Sequence, residues 1–294
     1  MPLRSQPTKS LLHSAEALGF SAVAGLTRAL PLDLASKLSG LAWRLIAPFN
    51  RRHERAAAQL AAGLPELSEA ERDLILDEMW DNLGRTTAES FHLTELLGDP
   101  ARVETSEALV DAIAEAKNGG AIFVSLHLGN WELAVPLLAK AGLDVTSVYQ
   151  RIRNPHVESA VVKVRAKYYR GGLWPKSPEA AKELLRSASR GGTIALLGDL
   201  RDFRGETVPF FNRPAPSTTF PAMMARQRDL PLFAAKVMRV GGARFKVVVE
   251  RIPTEKTDDR AADIRQTTLT IQAIFERWIR ETPGQWMWGH RRWG

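Results

Sequence analysis

The chain has 294 residues, of which 45% are hydrophobic, a formal net charge of +7 and no cysteine. A chain of this length and apolar content can bury a large core, which excludes a disordered tail or a fibre. The lack of cysteine excludes disulfides, thiolate metal sites and a cysteine nucleophile. We find no internal repeat and no Gly/Ser/Pro-rich linker, so a single folded domain is favoured.

The positive charge is concentrated at the start of the chain. Residues 1–60 contain eight Lys or Arg against three Asp or Glu, so five of the seven net positive charges fall there. A basic region of this kind favours an anionic partner. The chain carries no helix-turn-helix, zinc or RNA-binding signature, so nucleic acid is not expected. An anionic membrane leaflet fits better, because the same region is also apolar.

Two short apolar runs, residues 17–27 and 38–49, lie in this basic region. A membrane-spanning helix needs about 20 mostly apolar residues, so neither run is expected to span a bilayer. A signal peptide is not expected, because its apolar core would be too short and contains Glu16. We predict that residues 1–50 form a membrane-associating region of amphipathic helices lying in the interface. The alternative is that these helices pack on the globular core.

Residues 51–294 are predicted to form the main domain. Apolar residues at three- and four-residue spacing predict a helix from Ser68 to about Leu97, opened by a capping box of Ser68 and Glu71. Strands and helices then alternate, which predicts an α/β fold with a central mixed sheet covered by helices. The expected strands are 121–126, 144–150, 193–198, 232–240 and 245–252. The expected helices lie near 131–141, 156–169, 178–189, 217–228 and 262–281.

The most informative segment runs from Ala121 to Glu132, where a buried-looking strand leads into His127. In one continuous helix, residues five apart lie about 140° apart around the axis, so His127 and Glu132 would not meet. A strand, a turn at Asn130 and a new helix can bring them together. A carboxylate that holds one imidazole nitrogen turns the ring into a general base. The alternative is a histidine at a strand end and a glutamate favoured by the helix dipole.

Further polar candidates follow other strands of the predicted sheet. Asp199 follows the strand at 193–198, and sites in open α/β sheets gather at the carboxyl ends of strands. We therefore expect Asp199 near His127, either positioning the site or only forming a turn. Arg151 and Arg153 follow the strand that ends at residue 150. They are predicted either to bind phosphate or to be solvated loop residues.

Four segments in order resemble one known family: the lauroyl and myristoyl transferases of late lipid A biosynthesis, within the His-x4-Asp/Glu glycerolipid acyltransferase-like group. The resemblance covers about Leu11 to Trp293. The segments are the basic and leucine-proline-rich Arg51–Arg72, the His-Leu-Gly-Asn-Trp-Glu motif at 127–132, Gly198-Asp199 with the stretch 208–219, and the Trp-x-His-Arg-Arg element within 282–293. The chain departs from the family pattern at Gly284, where glutamate is common, and at Asn212, where glycine is usual.

The resemblance implies an acyltransferase at the cytoplasmic face of the inner membrane. It would move a fatty acyl chain from an acyl carrier protein thioester to a hydroxyl of a lipid A precursor, with no cofactor. His127 would act as the base, with Glu132 holding its ring. Direct transfer is expected, because the chain has neither cysteine nor a Gly-x-Ser-x-Gly elbow. The alternatives are a lysophospholipid or other glycolipid as acceptor, coenzyme A as carrier, and a non-catalytic membrane-surface protein.

Roles are also predicted for further residues. Arg165 resembles a recurrent family arginine and is predicted to bind phosphate, and Arg151 and Arg153 are predicted to bind either the acceptor's phosphate or the acidic surface of the carrier protein. Phe210 and Phe211 are predicted either to line an acyl channel or to pack in the core. Three tryptophans are predicted to dock at the membrane interface: Trp286, Trp288 and Trp293. The histidines show no metal-ligand spacing, so no metal is expected.

Overall fold

The computed structural model describes the backbone of residues 7–293 and the side chains of residues 12–293. Its α-helices are α1 (Pro7–Ala29), α2 (Leu32–Ile46), α3 (Arg51–Gly63), α4 (Glu69–Glu89), α5 (Leu93–Gly98), α6 (Glu107–Lys117), α7 (Ala134–Lys140), α8 (Pro155–Ala166), α9 (Pro178–Ser189), α10 (Phe220–Arg228) and α11 (Arg260–Glu281). Its strands are β1 (Val103–Thr105), β2 (Ile122–Gly129), β3 (Val145–Tyr149), β4 (Gly172–Pro175), β5 (Thr193–Leu197), β6 (Arg201–Phe210), β7 (Arg213–Ser217), β8 (Leu232–Gly241) and β9 (Arg244–Ile252).

A seven-stranded sheet with the order β1-β9-β8-β2-β5-β3-β4 forms the centre of the fold. Only β8 and β9 pair antiparallel, and the other neighbours in this sheet are parallel. The central strand β2 is covered on both faces. Ile122 and Val124 belong to one hydrophobic cluster, and Ala121 and Phe123 belong to another. Side chains alternate across a strand, so both layers of helices bury apolar residues against the sheet, as the unbroken apolar run of β2 predicts. The predicted mixed sheet covered by helices is confirmed.

All five predicted strands are present, but the structure adds strands that the patterning did not show. Two are the short edge strands β1 and β4, and two form the separate hairpin β6–β7. The single helix predicted from Ser68 to Leu97 is wrong, because two helices, α4 and α5, occupy this stretch. Between these helices, the side-chain Oγ of Ser90 donates hydrogen bonds to the backbone carbonyls of Thr86 and Thr87. Such local hydrogen bonds to the backbone compete with helix continuation.

The β6–β7 hairpin turns at Phe211 and Asn212, which have φ values of 54° and 55°. Positive φ at both central residues is the geometry of a type I′ turn, which matches the twist of the two strands. Asparagine tolerates this region, which explains how Asn212 can stand where the family usually has glycine. Phe211 is an unusual residue there. Its backbone N–H donates to Glu276 Oε2 and its ring is buried, and both contacts offset the strain.

Helices α1 and α2 precede the sheet domain, and α2 packs lengthwise on α4. The inner face of α2 buries Leu32, Ala35 and Ser36. The close approach of the two helices requires Gly84 on α4, because a β-carbon there would overlap the carbonyl of Ser39. The outer faces of α1 and α2 expose large apolar side chains: Leu12, Leu18, Val23, Leu26, Leu34, Leu38, Leu41 and Leu45. Among residues 7–293, the helices are all too short or too polar to cross a bilayer.

Candidate active site

His127 and Asp199 form a hydrogen-bonded pair at the carboxyl edge of the sheet. His127 lies near the end of β2, and Asp199 follows the neighbouring strand β5. The ring Nδ1 of His127 lies 2.9 Å from Asp199 Oδ1, and the backbone N–H of His127 donates to Asp199 Oδ2 at 2.9 Å. Asp199 is fully buried, whereas the His127 side chain is 12% exposed. The carboxylate therefore holds both the backbone and the ring of the histidine, and leaves the other ring nitrogen, Nε2, without a partner among the described residues.

Asp199 is held in its ionised form by its neighbours. Burial raises the pKa of its carboxyl, but the charge and hydrogen bond of His127 and the charge of His290 outweigh burial and hold this pKa well below the usual range. Trp286 Nε1 donates to Asp199 Oδ2 at 2.9 Å, so both carboxylate oxygens are hydrogen-bonded. The indole of Trp286 is 1% exposed, so this contact is shielded from bulk solvent. A buried, ionised and fully hydrogen-bonded carboxylate is suited to fixing the tautomer of an imidazole.

The segment that follows Trp286 closes over the histidine. The backbone N–H of Met287 donates to the carbonyl of His127 at 3.0 Å. The ring of His290 lies 4.7 Å from that of His127, and Trp131 lies edge-on at 5.1 Å on another side. Burial and the charge of His127 lower the pKa of His290 to about 4. His290 is therefore neutral at pH 7, and its Nε2 is buried without a hydrogen-bond partner.

Glu132 lies in the 3₁₀ turn after β2, but it does not hold the ring of His127. Its carboxylate pairs with the guanidinium of Arg165 on α8, through Nε at 3.0 Å and through a second, short contact from Nη2. Asp199 occupies Nδ1 of the histidine instead. The predicted pairing of His127 with Glu132 is wrong, because Glu132 is engaged by a cation and Asp199 reaches the ring from the adjacent strand. A catalytic role for Glu132 stays a prediction.

The remaining arginines lie on exposed surface. Arg151 pairs with Glu158 at 3.4 Å and its side chain is 68% exposed. Arg153 is exposed and makes no hydrogen bond or ion pair within residues 12–293. Arg165 differs from them, because it is partly buried, with 27% of its side chain exposed. These positions neither support nor contradict contact with phosphate, and their role as binding residues stays a prediction.

The aromatic residues assigned to an acyl channel and to the membrane lie in one core cluster. Phe210 is 0% exposed and Phe211 is 3% exposed, and each packs on the tryptophans near residue 290. The structure supports core packing of Phe210 and Phe211, the alternative to an acyl channel. The prediction that Trp286, Trp288 and Trp293 dock at the membrane is wrong. Their exposure does not exceed 6%, so their indoles are not available to a bilayer.

Sequence reasoning missed several residues of the site. His290 belongs to the Trp-x-His-Arg-Arg element and Trp286 lies just before it, and the contact of this segment with His127 spans more than 150 residues and follows no local pattern. Arg52 and Arg55 on α3 lie near enough to His290 to contribute to its lowered pKa. Neither of these two arginines is in an ion pair within the described side chains. Within that same part of the chain, no three His, Asp or Glu residues converge as metal ligands.

A strand-end histidine held by a buried aspartate has the geometry that a general base requires. The chain belongs to the bacterial lipid A biosynthesis acyltransferase family, whose family model matches residues 5–294. It is thus an acyltransferase with a role in lipid A biosynthesis, acting on an acyl donor and a lipid A-type acceptor. No curated protein matches the chain.

Proposed function

We propose that the protein transfers a fatty acyl chain from an acyl carrier protein thioester to a hydroxyl of a lipid A precursor, with His127 as the general base. The observation that carries this proposal is the His127–Asp199 pair. Its 2.9 Å contact at Nδ1 directs the basic Nε2 of His127 away from the carboxylate. Family membership supplies the reaction class and the type of acceptor.

The reaction follows from this geometry. His127 Nε2 takes the proton of the acceptor hydroxyl as the oxygen attacks the thioester carbonyl, and Asp199 stabilises the imidazolium. The tetrahedral intermediate then collapses, the carbon–sulfur bond breaks, and the imidazolium returns its proton to the leaving thiolate. The products are an ester and a free thiol. Asp199 remains ionised throughout, because its low pKa opposes proton transfer from the ring.

Glu132 has a different role in this proposal from the one its spacing suggests. Its two contacts fix the guanidinium of Arg165, and Nη1 of Arg165 has no partner among the described residues. A planar guanidinium with a free edge can donate to a phosphate oxygen. Glu132 therefore acts through Arg165, which contacts the phosphate of the acceptor. Arg151 and Arg153 are exposed on the same chain segment and contribute positive charge to this approach.

The exposed apolar face of α1 and α2 is proposed to lie in the inner leaflet at the cytoplasmic face of the membrane. Leu34, Leu38, Leu41 and Leu45 share one face of α2, and each is at least 43% exposed. Such a contiguous apolar surface typically marks contact with a membrane or a partner. The exposed Lys37 flanks this face and would reach the anionic headgroups. A lipid acceptor would thereby be delivered without leaving the bilayer.

The test is acyl transfer by the purified protein, with acyl carrier protein and coenzyme A thioesters compared as donors. A lipid A precursor and a lysophospholipid are compared as acceptors. We expect transfer from the carrier protein to the lipid A precursor, and its loss in His127→Ala. Transfer that survives in His127→Ala would contradict the proposed base. A preference for coenzyme A or for the lysophospholipid would replace the donor or the acceptor. Identifying the lipid precursor that accumulates in a deletion strain checks the acceptor independently.

A further inference from the structure

A cluster of buried polar side chains lies behind the turn that joins His127 to Glu132. We call it the Arg239 cluster, and it consists of Arg239, Glu89, Asn82, Thr86, Ser36 and Asn130. Arg239 comes from β8, Ser36 from α2, Asn130 from the turn itself, and the other three from α4. These residues are far apart in the sequence, and none of them has a place in the acyl-transfer mechanism.

The centre of the cluster is a bidentate ion pair. Arg239 Nη1 lies 2.5 Å from Glu89 Oε1, and Arg239 Nη2 lies 2.9 Å from Glu89 Oε2. The Glu89 side chain is 0% exposed and that of Arg239 is 9% exposed. Ser36 Oγ donates to Glu89 Oε1 at 2.7 Å, and Asn130 Nδ2 donates to Glu89 Oε2 at 2.8 Å. Glu89 therefore connects the arginine directly to the catalytic turn.

The backbone of the turn is also held from both sides. Asn82 Nδ2 and Thr86 Oγ1 donate to the carbonyl of Gly129 at 2.9 and 3.1 Å, and Asn82 Oδ1 accepts from Arg239 Nε. On the other side, the Asn130 backbone N–H donates to the carbonyl of Val237 at 3.0 Å. Gly129 has a φ of +60°, and a β-carbon there would overlap the Val237 carbonyl. The turn has no room to shift toward β8.

Arg239 also holds the segment that carries the partner of Asp199. Its backbone N–H donates to Gln285 Oε1 at 2.8 Å, and its carbonyl accepts from Gln285 Nε2 at 2.8 Å. The next residue, Trp286, donates to Asp199. Arg239 is thus linked to two parts of the site, to the turn after His127 through Glu89 and Asn82, and to the segment before Trp286 through its own backbone.

We propose that Arg239, held by Glu89, is a positioning residue that keeps His127, Glu132 and Asp199 in their working geometry. This inference rests on the proposed role of His127. A buried ion pair contributes little net stability compared with apolar residues of the same volume, so stability alone does not account for its place here. Catalysis is far more sensitive to position, because a misplacement of about 1 Å can cost about 10²-fold in rate.

The test compares Arg239→Lys with Arg226→Lys. Lysine keeps the charge but loses the planar fork, so Arg239→Lys should lower kcat about 10- to 100-fold with little change in KM. Arg226 forms a similar contact with the buried Asp263 on α11, outside the site, so Arg226→Lys controls for loss of stability. It should lower Tm by a similar amount and leave kcat within about twofold.

A second readout does not depend on turnover. The proton on Nδ1 of His127 is protected by its bond to Asp199, and its NMR signal should broaden or disappear in Arg239→Lys while persisting in Arg226→Lys. If Arg239→Lys does not fold, Glu89→Gln, which keeps the shape of the side chain, should give the same loss of kcat and of signal. Retention of both kcat and the Nδ1 proton signal in a folded Arg239 or Glu89 variant would overturn the inference. Activity that persists in His127→Ala would instead contradict the proposed base, and the NMR comparison would still test Arg239.

Discussion

The carboxyl edge of the sheet and the outer face of α1 and α2 reverse the usual burial of side chains in opposite ways. The sheet edge buries charged groups, and the helices expose apolar ones. At the sheet edge, charged groups are buried, as in Asp199 with 0% exposure, and their partners are supplied by distant segments. On the helices, apolar groups are exposed, as in Leu18 with 73% exposure. The first arrangement costs free energy unless every hydrogen bond is made, and the second costs free energy until something covers it. The Asp199 carboxylate has partners for both of its oxygens among the described residues, whereas the apolar side chains on the outer face of α1 and α2 are not covered by them.

The largest expected effects on kcat test whether the His127–Asp199 pair at the sheet edge performs the chemistry. His127→Ala should lower kcat about 10³-fold or more, because it removes the proposed base. Asp199→Asn should lower it about 10²- to 10⁴-fold, because the amide favours the wrong tautomer of the ring. Steady-state acyl transfer and far-UV circular dichroism of purified variants provide the measurement. If Asp199→Asn is nearly as active as the wild type, the pair seen in the structure does not perform the chemistry.

The next prediction distinguishes the role of Glu132 from that of Asp199. Under the proposed role, Glu132 holds the guanidinium of Arg165, so Glu132→Gln should raise KM for the acceptor more than it lowers kcat. For the same reason, Arg165→Ala should raise KM for the acceptor far more than KM for the acyl donor. Arg165→Lys should restore it only in part, because an ammonium cannot reproduce the planar fork. Arg151→Ala, a change at an exposed arginine, is the matched control. A rise in the donor KM alone would assign Arg165 to the donor.

A smaller effect, on vesicle binding, tests whether the exposed apolar face of α2 contacts a membrane. Leu38→Ser with Leu41→Ser should weaken binding to anionic vesicles about ten- to thirtyfold, because each leucine contributes about 1 kcal/mol when it enters the interface. Val110→Ser is the control, since Val110 is 60% exposed on α6, away from α1 and α2. High salt should release the protein in part, because ions screen only the electrostatic share of binding. Equal vesicle sedimentation of all three proteins would place the membrane contact elsewhere.

The smallest effect concerns pH and the neutral imidazole beside the base. The pKa of His290 is about 4 in the folded chain, below the value of about 6.5 expected in the unfolded chain. Between these values the unfolded chain binds a proton that the folded chain does not, so stability must fall as pH falls from about 6.5 to 4. His290→Gln should flatten this dependence of Tm by a few degrees, whereas the same change at the exposed His156 should not. Equal slopes for both variants would contradict the burial of a neutral His290.

The sequence predicted the sheet, five of its strands and the edge where the site lies, because parallel buried strands leave a strong apolar signal. It placed His127, Glu132 and Asp199 at that edge, but it could not choose which carboxylate holds the ring. That choice depends on Arg165, which lies 33 residues after Glu132 and forms an ion pair with it. The Trp286 contact with Asp199 joins residues 87 positions apart. The spacing of residues along the chain cannot predict which of several distant side chains pairs with a given carboxylate.

The tryptophans show the same limit in a different way. An indole suits a membrane interface and a protein core equally well, because it combines a large apolar surface with one N–H donor. Phe210 and Phe211, at the hairpin turn, pack against these three tryptophans and bury them in the core: Trp286, Trp288 and Trp293. That hairpin was not predicted, so its aromatic partners could not be anticipated either.

The segment that closes over His127 is synthesised after all strands of the central sheet. The base is released from the ribosome long before Trp286, Met287 and His290, which supply the last contacts of Asp199 and His127. Domains fold as they emerge, so β2 and β5 can pair while the histidine still lacks its final shell. A nascent chain would therefore acquire its sheet early and its working base late. The His127–Asp199 pair therefore gains its last contacts only after the residues around 290 have been synthesised.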